Sequence, residues 1–140
     1  MSQQSIAILS HSFPVASAAV TEGRAVDYAG VQATTQGQKV LGIAKRGCLA
    51  GDGFEATIMG TVVAEAGAAF AAGASLIVDN QGRLIASTGK LGLAAGATAV
   101  TSSAANGQIL TGGDPAEWVC ADALQAATAA GDKVEVLLRR

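Results

Sequence analysis

The chain has 140 residues, a formal net charge of −2, and charged residues at only 14% of its length, well below the roughly 25% of ordinary soluble domains. That balance lacks the concentrated Lys/Arg footprint that nucleic acid demands, and no apolar run approaches the roughly 20 residues that span a bilayer. Neither a nucleic-acid partner nor a membrane is therefore expected. The length is that of one domain. Half of the residues are hydrophobic, but only three Phe, one Trp and one Tyr are among them. Small side chains gain little transfer energy, about 0.8 kcal/mol per buried CH₂. A thin core results, and contact with other subunits is expected to complete it.

Residues 1–18 read as an extended N-terminal arm or a frayed terminus. Met1–Ser5 is polar, and Pro14 holds Phe13 out of the α region. Within the arm, Ile6, Ile8, Leu9, Phe13 and Pro14 are the candidate partner-binding residues, because an extended segment with spaced apolar anchors can enter a groove or add to a sheet edge. Ile6–Leu9 and the small residues Ala16-Ser17-Ala18 are not expected to form a signal peptide, since no Lys or Arg precedes them and His11 and Pro14 interrupt the run.

Residues 19–140 read as a single all-β domain of short strands between glycine-marked turns. Phe54, Ala56 and Ile58 alternate onto one face, and Thr61–Ala64 continues that strand past a bend at Gly60. Ser75–Val78 and Arg83–Ala86 flank Asp79-Asn80-Gln81-Gly82, a hairpin turn. Val134, Val136 and Leu138 share a face of the last strand. Two Ala-rich stretches, Glu65–Ala72 and Ala121–Ala130, have helix propensity and end at Gly73 and Gly131, so one or two short helices are allowed. Residues 87–113 are low in complexity and read as a surface insertion or long loop with one weak strand.

A faint internal repeat runs through the chain. Gly23 matches Gly73, Asp27 recurs near Asp79, and Ala50-Gly51-Asp52 matches Ala130-Gly131-Asp132. Val40–Ala44 corresponds to Val119–Ala123. Two similar halves suggest a pseudo-symmetric barrel or sandwich, although so much Ala and Gly also produces chance similarity.

Chemistry is hard to assemble from these residues, and no catalytic, cofactor-binding or metal-ligating residue is expected. A Ser-His-Asp device would have to use His11, which lies in the arm. Gly73-Ala74-Ser75-Leu76-Ile77 lacks the closing glycine of a nucleophile elbow. Gly89-Lys90 is followed by Leu91, and Leu84 stands where a P-loop needs glycine. Gly51-Asp52-Gly53 with Ala56 is followed by a strand rather than the required helix. Cys48, Cys120 and His11 have no paired spacing for zinc. The two cysteines read as small packing residues without a disulfide. The acidic residues Asp27, Glu55, Glu65, Asp79, Asp122 and Asp132 are scattered, and turn and rim roles suit them.

The order of segments carries a resemblance. EATIMGTVVAEAGAAFAAGASLIVDNQGRLIAS (Glu55–Ser87), CADALQAATAAGDKVEVLL (Cys120–Leu138) and GIAKRGCLAGD (Gly42–Asp52) together look like the capsid cement, or head decoration, proteins of tailed bacteriophages. The resemblance covers most of the chain from about Ala19 onward and lies in small residues, glycine turns and strands. It implies a compact barrel or sandwich of β-tulip or β-clip type. It also implies a non-enzymatic homotrimer on the outer capsid surface of the virion, assembled in the bacterial cytoplasm, that clamps neighbouring major capsid proteins after the shell expands. Other virion β proteins, such as a head-fibre base or a tail-tube-like subunit, are the alternative, and a carbohydrate-binding module stands behind them.

Overall fold

A computed structural model describes residues 3–87 and 117–139. The expected insertion at 87–113 lies outside the described residues except for Ser87. The described residues form eight strands and no helix: β1 (Ala7–Phe13), β2 (Ala25–Val26), β3 (Gly42–Ala44), β4 (Phe54–Glu65), β5 (Ser75–Val78), β6 (Leu84–Ala86), β7 (Ala121–Ala123) and β8 (Lys133–Leu138). All pair antiparallel in the order β2-β3-β4-β8-β7-β5-β6, with β1 added on β4. The two ends of this path meet. Ala25 donates its N–H to the Gly82 carbonyl at 2.7 Å, and Gly67 donates to Leu84 at 2.7 Å beside an Ala66–Leu84 bridge. The sheet is thereby a nearly closed barrel, the all-β class that strand alternation predicts.

The allowance for one or two short helices goes unused for a physical reason. Ala66 and Phe70 of the first Ala-rich stretch and Ala121, Ala123 and Ala127 of the second are buried in the larger core. Their backbones bond to other segments: Phe70 bridges Ala127, and Gly73 donates to Ala123 at 2.7 Å. Tertiary pairing overrides a propensity difference of well under about 1 kcal/mol per residue. Alanine serves here as a thin spacer between strands.

Two apolar clusters pack on the sheet, on opposite faces of β2 and β3, where Ala25 and Ile43 join the larger and Val26 and Ala44 the smaller. The larger gathers Ile43, Val62, Leu76, Val78, Leu84, Val134, Val136 and Leu138 with many alanines. The smaller holds Phe13, Ala16, Val20, Val26, Ala44, Phe54 and Ala56. The cysteines are free and sit against different clusters, Cys48 on the smaller and Cys120 on the larger.

The faint repeat is a structural one. Val20 and Cys48 exchange backbone bonds, as do Phe70 and Ala127. Gly23 donates to Ala44, as Gly73 does to Ala123. Gly51 donates to Ala16, and Gly131 to Ala66, each at 2.8 Å. Ala25 faces Ile43 as Ser75 faces Asp122. The Asp turns match as well. Asp27 Oδ1 accepts from Ala29 and Val31 N–H at 2.8 and 2.9 Å, and Asp79 Oδ1 accepts from Gln81 and Arg83 N–H at 2.8 Å. Such side-chain acceptance fixes the turn locally. Asp79 adds an ion pair to Arg83 at 2.8 Å.

β4 joins the two copies. Its first half pairs with β1 and β3, and its second half with β8. Gly60 lies between the halves at φ +108°, with the register of β1 shifting across it. A side chain there would strike the Ile6 carbonyl and would be strained at that φ. Gly42 is constrained by space instead, because a Cβ would run into the Thr57 carbonyl of β4. Gly42→Ala should therefore lower stability by about 1–3 kcal/mol. Gly51→Ala, where φ is +91° but nothing lies within 4 Å, should cost only the local strain of about 1–2 kcal/mol. Urea midpoints of the two variants check the order.

Glu65 ends β4 inside an ion cluster. Its carboxylate accepts from Arg24 Nε at 3.2 Å and Nη2 at 3.1 Å, and from Lys133 Nζ at 3.3 Å. Burial pushes the carboxyl pKa up, but the hydrogen bonds and charges of Arg24 and Lys133 outweigh it, and the net pKa lies below the ordinary value. A depressed carboxyl stabilises the fold above its unfolded pKa and loses that contribution as pH falls through the folded one. Glu65→Gln should be less stable than the parent at neutral pH, and the gap should close in acid below the carboxylate range. Thermal melts across that range read the closure.

Candidate binding surface

The five residues proposed for binding separate in the structure. β1 lies on β4, pairing Phe13 with Phe54, Ser12 with Glu55, His11 with Ala56, Ser10 with Thr57 and Leu9 with Met59. Register shifts on both sides of Leu9 make a bulge and leave Ile8 outside the pairing. Ile8 is 74% exposed, and Ile6 and Leu9 are also exposed. Pro14 is exposed at the end of the strand. Phe13 is different: it is 9% exposed. Its ring stacks on Phe54 at 4.9 Å and receives His11 edge-on at 4.7 Å. It belongs to the smaller core cluster, so it anchors β1 to the barrel instead of waiting for a partner.

The outward apolar residues continue beyond β1. Leu9 is directly opposite Met59, and Leu137 is opposite Thr61, two residues further along β4. Successive residues of a strand alternate faces, so Met59 and Thr61 share one and their cross-strand neighbours join them. Met59 and Leu137 are exposed with Leu9. The result is an outward row across β1, β4 and β8 that is apolar at Leu9, Met59 and Leu137 and interrupted by Thr61, with Ile6 and Ile8 beside it.

A second surface feature escaped the sequence reading. The only Tyr and the only Trp of the chain line one open cleft of about 670 Å³ with Lys39, Val40, Val119, Cys120, Leu138 and Arg139. Tyr28 sits at the tip of the Asp27 turn. The Trp118 backbone is held by its main-chain N–H, which donates to the Gly37 carbonyl at 3.0 Å. Both rings are about half exposed, at 55% and 51%. Lys39 Nζ lies 5.7 Å from the Tyr28 ring centre and 4.9 Å from that of Trp118, within cation–π range. Arg139 Nε donates to Asp122 at 2.6 Å, and that hydrogen bond and charge raise the guanidinium pKa further above its ordinary value. The signal that could have found this cleft was present. Aligning Val40–Ala44 with Val119–Ala123 also places Lys39 against Trp118.

No family model matches this chain, and no curated protein matches it.

The two roles of β1 residues separate in a stability measurement. Phe13→Ala should cost about 3–5 kcal/mol, whereas Ile8→Ser should change stability by less than about 0.5 kcal/mol. Chemical denaturation of both variants decides whether Phe13 is core and Ile8 is free for a partner.

Proposed function

We propose that this chain is a structural decoration protein of a tailed-bacteriophage capsid. In this reading it sits as a homotrimer on the outer face of the virion and ties neighbouring major capsid proteins together, acting through interfaces rather than catalysis. The observation that carries the reading is the apolar stripe of Leu9, Met59 and Leu137, flanked by Ile6 and Ile8. Contiguous exposed apolar surface marks a protein-contact site, and here it lies on a barrel whose chain is only 14% charged. The small-residue, glycine-turn pattern that resembles cement proteins supports the same reading, as does the barrel. A trimer would cover part of the stripe and present several copies of the remainder at once. Multivalency then turns weak single contacts into firm attachment.

Light scattering of the purified protein should give three times the 13.7 kDa chain mass. Sedimentation with expanded capsids assembled without this chain should carry it into the pellet. A Leu9→Ser, Met59→Ser double variant should keep the barrel, as read by circular dichroism, and lose trimer or pellet. A monomer that does not pellet with such capsids would overturn the proposal.

A further inference from the structure

The cleft between Tyr28 and Trp118 lies at the meeting point of the two structural copies. Leu41 donates its N–H to Val26 at 2.8 Å, and Cys120 donates to Leu76 at 2.9 Å. These bonds are equivalent, so Lys39-Val40 in the first copy corresponds to Trp118-Val119 in the second. The fold brings equivalent positions side by side, and the sequence has filled them with different chemistry: a cation on one side and the chain's only indole on the other. Tyr28 closes the set from a turn whose counterpart in the second copy carries Asn80.

We infer that this cleft binds an acidic oligosaccharide. A pyranose ring has apolar C–H faces that stack on aromatic side chains, and Tyr28 and Trp118, each about half exposed, line the cleft. The volume, about 670 Å³, falls in the roughly 300–1,000 Å³ range of small-ligand sites. Charge selects an acidic sugar over a neutral one. Lys39 is exposed, and no carboxylate pairs with it among the described residues. A sugar carboxylate gives its ammonium a counter-ion while the ring takes the aromatic face. Arg139 spends Nε on Asp122 and keeps further N–H groups of its five-donor fork for ligand oxygens. A peptide is disfavoured because the strands beneath offer no free edge. β7 is paired with β5 and β8, and β8 with β4 and β7. Cys120 N–H and carbonyl are occupied by Leu76 and Arg139. β7 and β8 therefore leave no open edge for main-chain addition of a strand.

Because Trp118 is the only Trp, its fluorescence reports this cleft alone. The full chain is titrated with trigalacturonate, with neutral galactotriose, and with hexaglutamate as an acidic peptide. Trigalacturonate should give a saturable change. Lys39→Gln should weaken it about tenfold, on the order of one lost charged contact. Trp118→Ala, followed by calorimetry, should abolish binding. Both side chains are exposed, so these variants retain the fold, and circular dichroism verifies that they do. The inference is overturned by an absence of saturable change up to about 10 mM, a ceiling near the weakest affinities worth a site. It is equally overturned by galactotriose binding as tightly as trigalacturonate, by hexaglutamate binding as tightly, or by an unchanged affinity in Lys39→Gln.

Discussion

β4 belongs to both halves of the barrel at once, and the rest of the structure depends on that sharing. Its twelve residues run past Gly60 without a break in the strand. One half takes β1 and β3 as neighbours while the other takes β8. Neither half could bury its apolar face alone. Phe54 and Ala56 point into the smaller cluster, and Val62 and Ala64 into the larger. A single strand therefore ties two cores to one backbone ladder. Any loosening at Gly60 would be felt by both, because the bulge that frees Ile8 is made against the same residue. Glu65 fixes the far end of the strand to Arg24 and Lys133, which come from opposite ends of the sequence.

Thin side chains make this arrangement possible. Ala25, Ala33, Ala44, Ala56, Ala64, Ala66 and Ala121 are fully buried, and backbone approaches close over them and over Gly42. Interiors pack at crystal density, so a core of small residues has little slack: a methyl group added at Gly42 meets the Thr57 backbone, and one added at Gly30 meets the Phe13 ring. The penalty is a modest apolar area per residue. The structure accordingly relies on many backbone bonds between segments distant in sequence, and on Asx turns, of which the Asp79 turn is also tied to the other copy through the Gln81 and Gly82 carbonyls. Thr57, whose buried hydroxyl has no partner among the described residues, is the exception to this economy, and the structure offers no account of it.

Much of the barrel was legible because strand alternation and turn chemistry are local. β5 and β8 fall where the pattern places them, the Asp79 turn forms, and β4 runs through Gly60. The repeat was legible too, in Gly23 with Gly73 and Asp52 with Asp132, since those positions serve the turns that both copies need. The Ala-rich stretches stayed ambiguous, because alanine's helix propensity is intrinsic while its role here, as a spacer between paired strands, is set by distant partners. Phe13 misled for a similar reason. From sequence it is one of several spaced apolar residues in the arm, and only its stacking on Phe54 makes it core. The cleft was legible only in part, because the repeat sets Lys39 against Trp118 while Tyr28 and Arg139 come from other segments that no motif links to them.

The repeat sharpens where function should be sought. Positions at which the two copies agree are those that close turns or bond the backbone: Gly23 and Gly73, Gly51 and Gly131, Asp27 and Asp79. They carry the fold, and any sequence that makes this barrel twice must keep them. Positions at which the copies differ are released from that duty. Lys39 faces Trp118 across equivalent positions, and Tyr28 stands in one Asp turn where Asn80 stands in the other. β1 is mostly exposed, while the second half of β4, which pairs with β8 in the other copy, is largely covered. Both surface features therefore arise where the symmetry is broken. The apolar stripe exists because β1 lies at the outside of one copy and has no equally exposed counterpart in the other. The aromatic cleft exists because equivalent segments carry unlike side chains. A symmetric barrel of this kind would have neither.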